Sequence, residues 1–79
     1  MLIPIEEIRA AAERIGSAID RTPLLHARQL GERAGVELFL KCENLQKTGS
    51  FKPRGALNIV LSLPEERRAR GLVTVSAGN

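Results

Sequence analysis

The sequence predicts an α/β fold, an incomplete piece of an open, mainly parallel sheet with flanking helices. Three observations predict it. "VELFLKC", residues 36–42, alternates: Val36, Leu38, Leu40 and Cys42 point one way and Glu37, Phe39 and Lys41 the other, as in a strand. "LVTV", residues 72–75, is a short apolar run suited to a strand buried on both faces. Between them lie two stretches of helical character, residues 53–63 and "PEERRARG". Strand, helix and strand make a βαβ unit, whose crossover is expected to be right-handed.

The elements follow in order from the amino end. Residues 4–15 read as a helix, with Pro4 in a first-turn position and Glu6 and Glu7 where the helix dipole favours acids. Ile5, Ile8, Ala12 and Ile15 recur at helical spacing and form one apolar stripe, and Gly16 is the stop. "DRTPLL" is extended or turning, because the residue before Pro23 is pushed out of the helical region. Residues 27–34 read as a short helix closed by Gly35. After the first strand, "ENLQKTGS" is a polar loop. The helix over 53–63 is mostly apolar and is expected to be buried, with Pro64 ending it. The short helix after it has acids first and bases last, closed by Gly71. "SAGN", residues 76–79, is a loop. In this topology loops 43–50 and 76–79 leave the carboxyl ends of parallel strands and face one crevice, where open α/β sheets bind ligands.

Bulk properties narrow the function. The chain has 79 residues, with one cysteine, Cys42, and one histidine, His26. That is too few ligands for a zinc site and leaves no disulfide framework. A lone cysteine fits a reducing, cytoplasmic setting. No apolar stretch is long enough to span a membrane, and "MLIPIEEIRA" lacks the basic region and apolar core of a signal peptide. The expectation is a soluble cytoplasmic protein with no membrane partner. The net charge is +3, with Arg67, Arg68 and Arg70 clustered just after Glu65 and Glu66. Nucleic-acid binding requires a basic face with stacking aromatics, and the chain has two phenylalanines, no tyrosine and no tryptophan. The charge reads as a solvated surface, so no nucleic-acid partner is expected.

Lys52 is the residue in an unusual place. In "KTGSFKPRGA", residues 47–56, it stands between Phe51 and Pro53 where a loop turns into a helix. The positive pole of the helix dipole and an apolar neighbour both disfavour an ammonium there, and a neutral amine is what condenses with a carbonyl. Composition alone favours the plainer alternative, a lysine whose stem lies along the surface with its ammonium in water. Ser50 and Gly49 suit a cap and a turn. "QKTGS" is not a nucleotide-binding phosphate loop, because Lys41 and Gln46 stand where that pattern has its two glycines. In "SAGN" a small-residue turn after a strand frees backbone N–H groups for a carboxylate, and Asn79 adds an amide that both donates and accepts. His26 and Cys42 read as structural.

"FLKCENLQKTGSFKPRGA", with "RTPLL" before it and "SAGN" after it, resembles the cofactor-lysine segment of the pyridoxal-phosphate enzymes of the tryptophan-synthase-β fold type. Within that group it is most similar to the threonine dehydratases (threonine ammonia-lyases) and serine racemases. The likeness covers nearly the whole chain, and its most specific part is the run Ser50 to Ala56. It implies a tryptophan-synthase-β-like fold in which residues 1–79 are the amino-terminal part of the catalytic region, truncated at Asn79 ahead of the loop that holds the cofactor phosphate. It implies that Lys52 carries pyridoxal 5'-phosphate covalently and acts as the catalytic base. Phe51 would pack beside the cofactor and Asn79 would hydrogen-bond its ring hydroxyl. Ser76, Ala77 and Gly78 would hold the substrate carboxylate through backbone N–H groups and the Ser76 hydroxyl, while Arg54 and Gly55 are structural.

The activity so implied for the parent protein, a homo-oligomer acting on a small amino acid, is β-elimination of L-threonine or L-serine to a 2-oxo acid and ammonia. The alternatives on the same fold are racemisation of serine and β-replacement of the cysteine synthase or threonine synthase type; outside it, the alternative is a non-catalytic binding module. Ala77 bears on the choice. Serine racemases of this family typically carry a second serine there, whose hydroxyl serves the face of the cofactor opposite the lysine. Alanine has no exchangeable proton, which favours elimination.

Overall fold

The computed structural model describes residues 2–78. Along the chain run α1 (Ile5–Ile15), β1 (Leu24–His26), α2 (Arg28–Ala34), β2 (Phe39–Lys41), α3 (Lys52–Ser62) and α4 (Glu65–Ala69). Two 3-10 turns, Glu43–Leu45 and Lys47–Gly49, fill the stretch between β2 and α3. The unit is a small α/β piece with a two-stranded sheet.

α1 forms as its periodicity predicts, with Glu6 and Glu7 in its first turn and Arg14 in its last. Its apolar stripe faces α3. Ile8, Ala12 and Ile15 line a shallow cleft with Arg54, Gly55 and Asn58. Arg14 Nη1 donates to Asn58 Oδ1 and ties the two helices at their polar margin. Ile15, 5% exposed, is the one buried hydrophobic side chain among the described residues.

β1 and β2 pair antiparallel, with Leu24 opposite Lys41, Leu25 opposite Leu40 and His26 opposite Phe39. The pairing continues past both ends: Cys42 N–H donates to Pro23 O and Ala27 N–H to Leu38 O, each at 2.9 Å. His26 gains a partner that the sequence did not suggest, stacking on Phe39 with ring centroids 4.9 Å apart. α2 joins the strands and ends at Gly35, whose φ of 70° is left-handed and whose N–H returns to the Gly31 and Glu32 carbonyls.

The sheet corrects the expected topology. Its strands are antiparallel, not parallel, and residues 72–75 form no strand, with Val73 and Val75 97% and 94% exposed. The expected unit places residues 36–42 and 72–75 as neighbouring or near-neighbouring parallel strands of one sheet. β2 instead pairs with β1, and among the described residues no strand lies beside 72–75. The strand expected over 36–42 contracts to Phe39–Lys41, because Val36 N–H is held by Gly31 O in the turn after α2. α3 was expected to be buried and has no buried residue. One of its faces meets α1, while Ile59, 63% exposed, has no cover. Among the described residues no helix is long and apolar enough to cross a membrane.

Candidate functional site

Lys52 opens α3. Its backbone N–H donates to Ser50 Oγ at 3.3 Å, but the N-cap position falls on Phe51, which makes no side-chain cap, so Ser50 is not the cap its residue type suggests. Pro53 follows in the first turn, where a missing N–H removes no helix bond. Lys52 and Phe51 are both exposed, so the apolar enclosure expected of Phe51 is not formed by the described residues. What fixes the lysine is polar.

The anchor is a group of side chains upstream. Gln46 is 4% exposed. Its amide pairs with the backbone of one residue in both directions: Asp20 N–H donates to Gln46 Oε1 at 2.9 Å, and Gln46 Nε2 donates to Asp20 O at 2.8 Å. The same Oε1 accepts Lys47 N–H at 3.0 Å. A glutamine side chain thus stands in for a strand in a stretch that has none. Glu43 sits on the other side. Its Oε2 accepts from Thr22 Oγ1 at 3.0 Å and from Gln46 Nε2 at 3.4 Å, and its Oε1 accepts from Arg54 Nε in a close ion pair. Arg54 lies in the first turn of α3, two residues past Lys52. The Arg54 guanidinium hydrogen-bonded to Glu43 holds its carboxyl below the ordinary value of 4.5; the Thr22 and Gln46 bonds act the same way and loss of hydration opposes them. Two further lysines complete the attachment, Lys41 Nζ donating to Thr22 O at 2.6 Å and Lys47 Nζ to Ala18 O at 2.9 Å.

The sequence predicts only a polar loop over 43–50 and does not announce this hub. A signal was present. In a 3-10 turn residues three apart eclipse one another, so Glu43 and Gln46 fall on one side of the turn. The loop also holds a strained residue. Thr48, β-branched, has φ 66°, a left-handed conformation uncommon for any residue but glycine.

The other sequence-predicted residues stand apart from this hub. Ser76, Ala77 and Gly78 are exposed after α4, and Gly78 N–H donates to Ser76 Oγ at 3.2 Å, a turn closed within its own segment. Among the described residues the crevice expected from two parallel strands is not formed, and the hydrogen bonds of the Glu43 hub do not reach this turn. Asn79 lies outside the described residues. Cys42 is half-buried and its thiol donates to Leu40 O at 3.7 Å, in keeping with a structural role.

Among the described residues Lys52 is exposed at the start of α3, the plainer of the two placements its sequence allows, with its flanks fixed by Glu43, Gln46 and Arg54. An accessible amine at that point leaves room for a carbonyl-bearing cofactor such as pyridoxal phosphate. Residues 15–79 match the family model described as pyridoxal-phosphate dependent enzyme, and the chain belongs to that family. An L-threonine ammonia-lyase of Geobacter sulfurreducens is 45% identical over 78 residues, which is 99% of this chain and 19% of that protein. A serine racemase of Dictyostelium discoideum is 51% identical over 77 residues, 98% of this chain and 24% of that protein. The structure of maize serine racemase superposes with a TM-score of 0.82 at 42% identity, covering 94% of this chain and 23% of that one. The chain therefore spans about a fifth to a quarter of the length of the curated relatives it matches.

Proposed function

We propose that the whole protein carrying these residues is a pyridoxal-phosphate-dependent lyase that eliminates water and ammonia from a β-hydroxy amino acid, L-threonine or L-serine. The observation that carries this reading is Lys52, placed at the first turn of α3 inside the run Ser50 to Ala56. When bound, the cofactor supplies an electron sink that stabilises negative charge at the substrate Cα. Lys52 Nζ is its covalent anchor and the base that accepts the Cα proton. Phe51 would pack against the cofactor, and Asn79 would hydrogen-bond its ring hydroxyl. The N–H groups of Ala77 and Gly78 and the Ser76 hydroxyl hold the substrate carboxylate. In the free chain Gly78 N–H is turned onto Ser76 Oγ, so the arriving carboxylate exchanges one acceptor for another. The β-hydroxyl leaves as water, and the released enamine hydrolyses to a 2-oxo acid and ammonia.

Relatives of similar identity carry the names of a lyase and a racemase, so the choice rests on Ala77. Racemisation needs a proton donor on the face that Lys52 does not reach, and a methyl group supplies none. Elimination needs one base at Cα. The test is the whole protein, loaded with pyridoxal phosphate and given L-serine or L-threonine, with 2-oxo acid and D-amino acid followed together. The 2-oxo acid is expected to form faster. D-amino acid forming faster than 2-oxo acid overturns the assignment.

A further inference from the structure

We propose that Gln46, with Glu43, is a positioning residue for Lys52. The proposal rests on the reading of Lys52 as the cofactor lysine. From the end of β2 to the start of α3 the chain has two single 3-10 turns and a left-handed Thr48, so backbone hydrogen bonding alone holds it weakly in place. Gln46 fastens this stretch to the Asp20 backbone N–H and C=O by two hydrogen bonds of 2.9 and 2.8 Å. Glu43 then couples that point to Arg54 in the first turn of α3 and to Thr22, which is 5% exposed, just ahead of β1. Lys52 lies between the two fastenings, six residues after Gln46 and two before Arg54. The hydrogen bonds of Gln46 and Glu43 run to Asp20, Thr22, Lys47 and Arg54 and to each other. Each fixes where the Lys52 backbone sits, and therefore where its amine meets the cofactor carbonyl and the substrate Cα. A displacement of about 1 Å at such a group is enough to lower turnover about a hundredfold.

The experiment uses the whole protein loaded with pyridoxal phosphate. In the wild type, borohydride reduction and peptide mapping first establish that the pyridoxyl group is on Lys52. A label elsewhere refutes the underlying reading before the variants are made, so the two failures are told apart. Gln46→Ala is then compared with wild type in three measurements on folded, cofactor-loaded protein: amide hydrogen exchange of residues 47–52, the rate of cofactor release, and kcat against KM. The expected result is exchange and release each about tenfold faster, kcat about tenfold lower, and KM changed less than twofold. Thr22→Ala, which removes only the hydroxyl donor to Glu43, is expected to shift the same quantities about threefold in the same direction, and it carries the test if Gln46→Ala does not fold. A purely structural Gln46 lowers the melting temperature but leaves loop exchange, cofactor release and kcat of the folded enzyme unchanged. That outcome, in whichever variant folds, overturns the proposal.

Discussion

Replacing Gly31 by alanine sets helix propensity against packing, and the structure decides which wins. Gly31 lies inside α2, buried against the turn that leads into β2. A Cβ there would fall 2.6 Å from Val36 O and 3.3 Å from Leu38 N. The propensity term favours alanine by about 0.8–1.0 kcal/mol. The packing term opposes it, since forcing an extra methyl into a filled site costs about 1–3 kcal/mol. Here the atoms in the way are backbone, so no side-chain rotation relieves the contact. The turn is also held at both ends, by Val36 N–H on Gly31 O at 3.0 Å and Ala27 N–H on Leu38 O at 2.9 Å. The upper half of the packing range therefore applies, and Gly31→Ala should destabilise the whole protein by about 1–2 kcal/mol net. Equilibrium urea denaturation measures it, with an earlier midpoint and an unchanged slope. A variant as stable as wild type, or more stable, refutes the claim that α2 is seated on the Val36–Leu38 backbone.

Two further predictions concern the lysine and its hub. Lys52→Ala in the whole protein should abolish reducible attachment of pyridoxal phosphate, whereas Lys41→Ala and Lys47→Ala should retain it; mass mapping after borohydride treatment distinguishes them, and loss of attachment in Lys41→Ala or Lys47→Ala alone sinks the assignment. For Glu43, a carboxyl lowered in the folded state below its ordinary 4.5 contributes stability that is present above that value and lost as pH falls through the folded one. The stability gap between wild type and Glu43→Gln should therefore be widest near neutrality and close on acidification, read from denaturation midpoints across the acid range; a gap that stays level or grows removes the Arg54 pairing as the cause.

Much of the helical structure was legible because its signals are local. The stripe of Ile5, Ile8, Ala12 and Ile15 predicts α1 to within a residue, and Gly35 and Pro64 mark the stops of α2 and α3. The sheet was not legible, since three-residue strands owe their existence to the partner they find. "DRTPLL" gives no periodic signal, yet Leu24–His26 becomes β1 once Phe39–Lys41 lies opposite. "LVTV" has the residues of a buried strand and, lacking a neighbour among the described residues, remains extended and exposed. α3 looks like a core helix by composition, but apolar residues are buried only where another surface covers them. At the candidate site, Lys52 stood out through a motif, whereas Gln46 did not, because a glutamine in a polar loop ordinarily faces water. Its burial follows from a pairing with Asp20, 26 residues away, that no local pattern announces.

The division of labour among the three lysines between 41 and 52 explains why this loop is so polar. Lys41 and Lys47 donate to carbonyl oxygens of the segment from Ala18 to Thr22, and Gln46 pairs with the Asp20 backbone between them. The segment has no ladder of its own before β1, so its exposed carbonyls are satisfied by side chains from across the ribbon. Lys52 is placed differently, at the start of a helix on the exposed side of that junction. Hydrogen bonds to backbone and one ion pair set the position of α3 from behind, while the front of the loop stays accessible. The prediction for Gln46 follows from this geometry: the residue that is most buried in the loop is expected to position an exposed one.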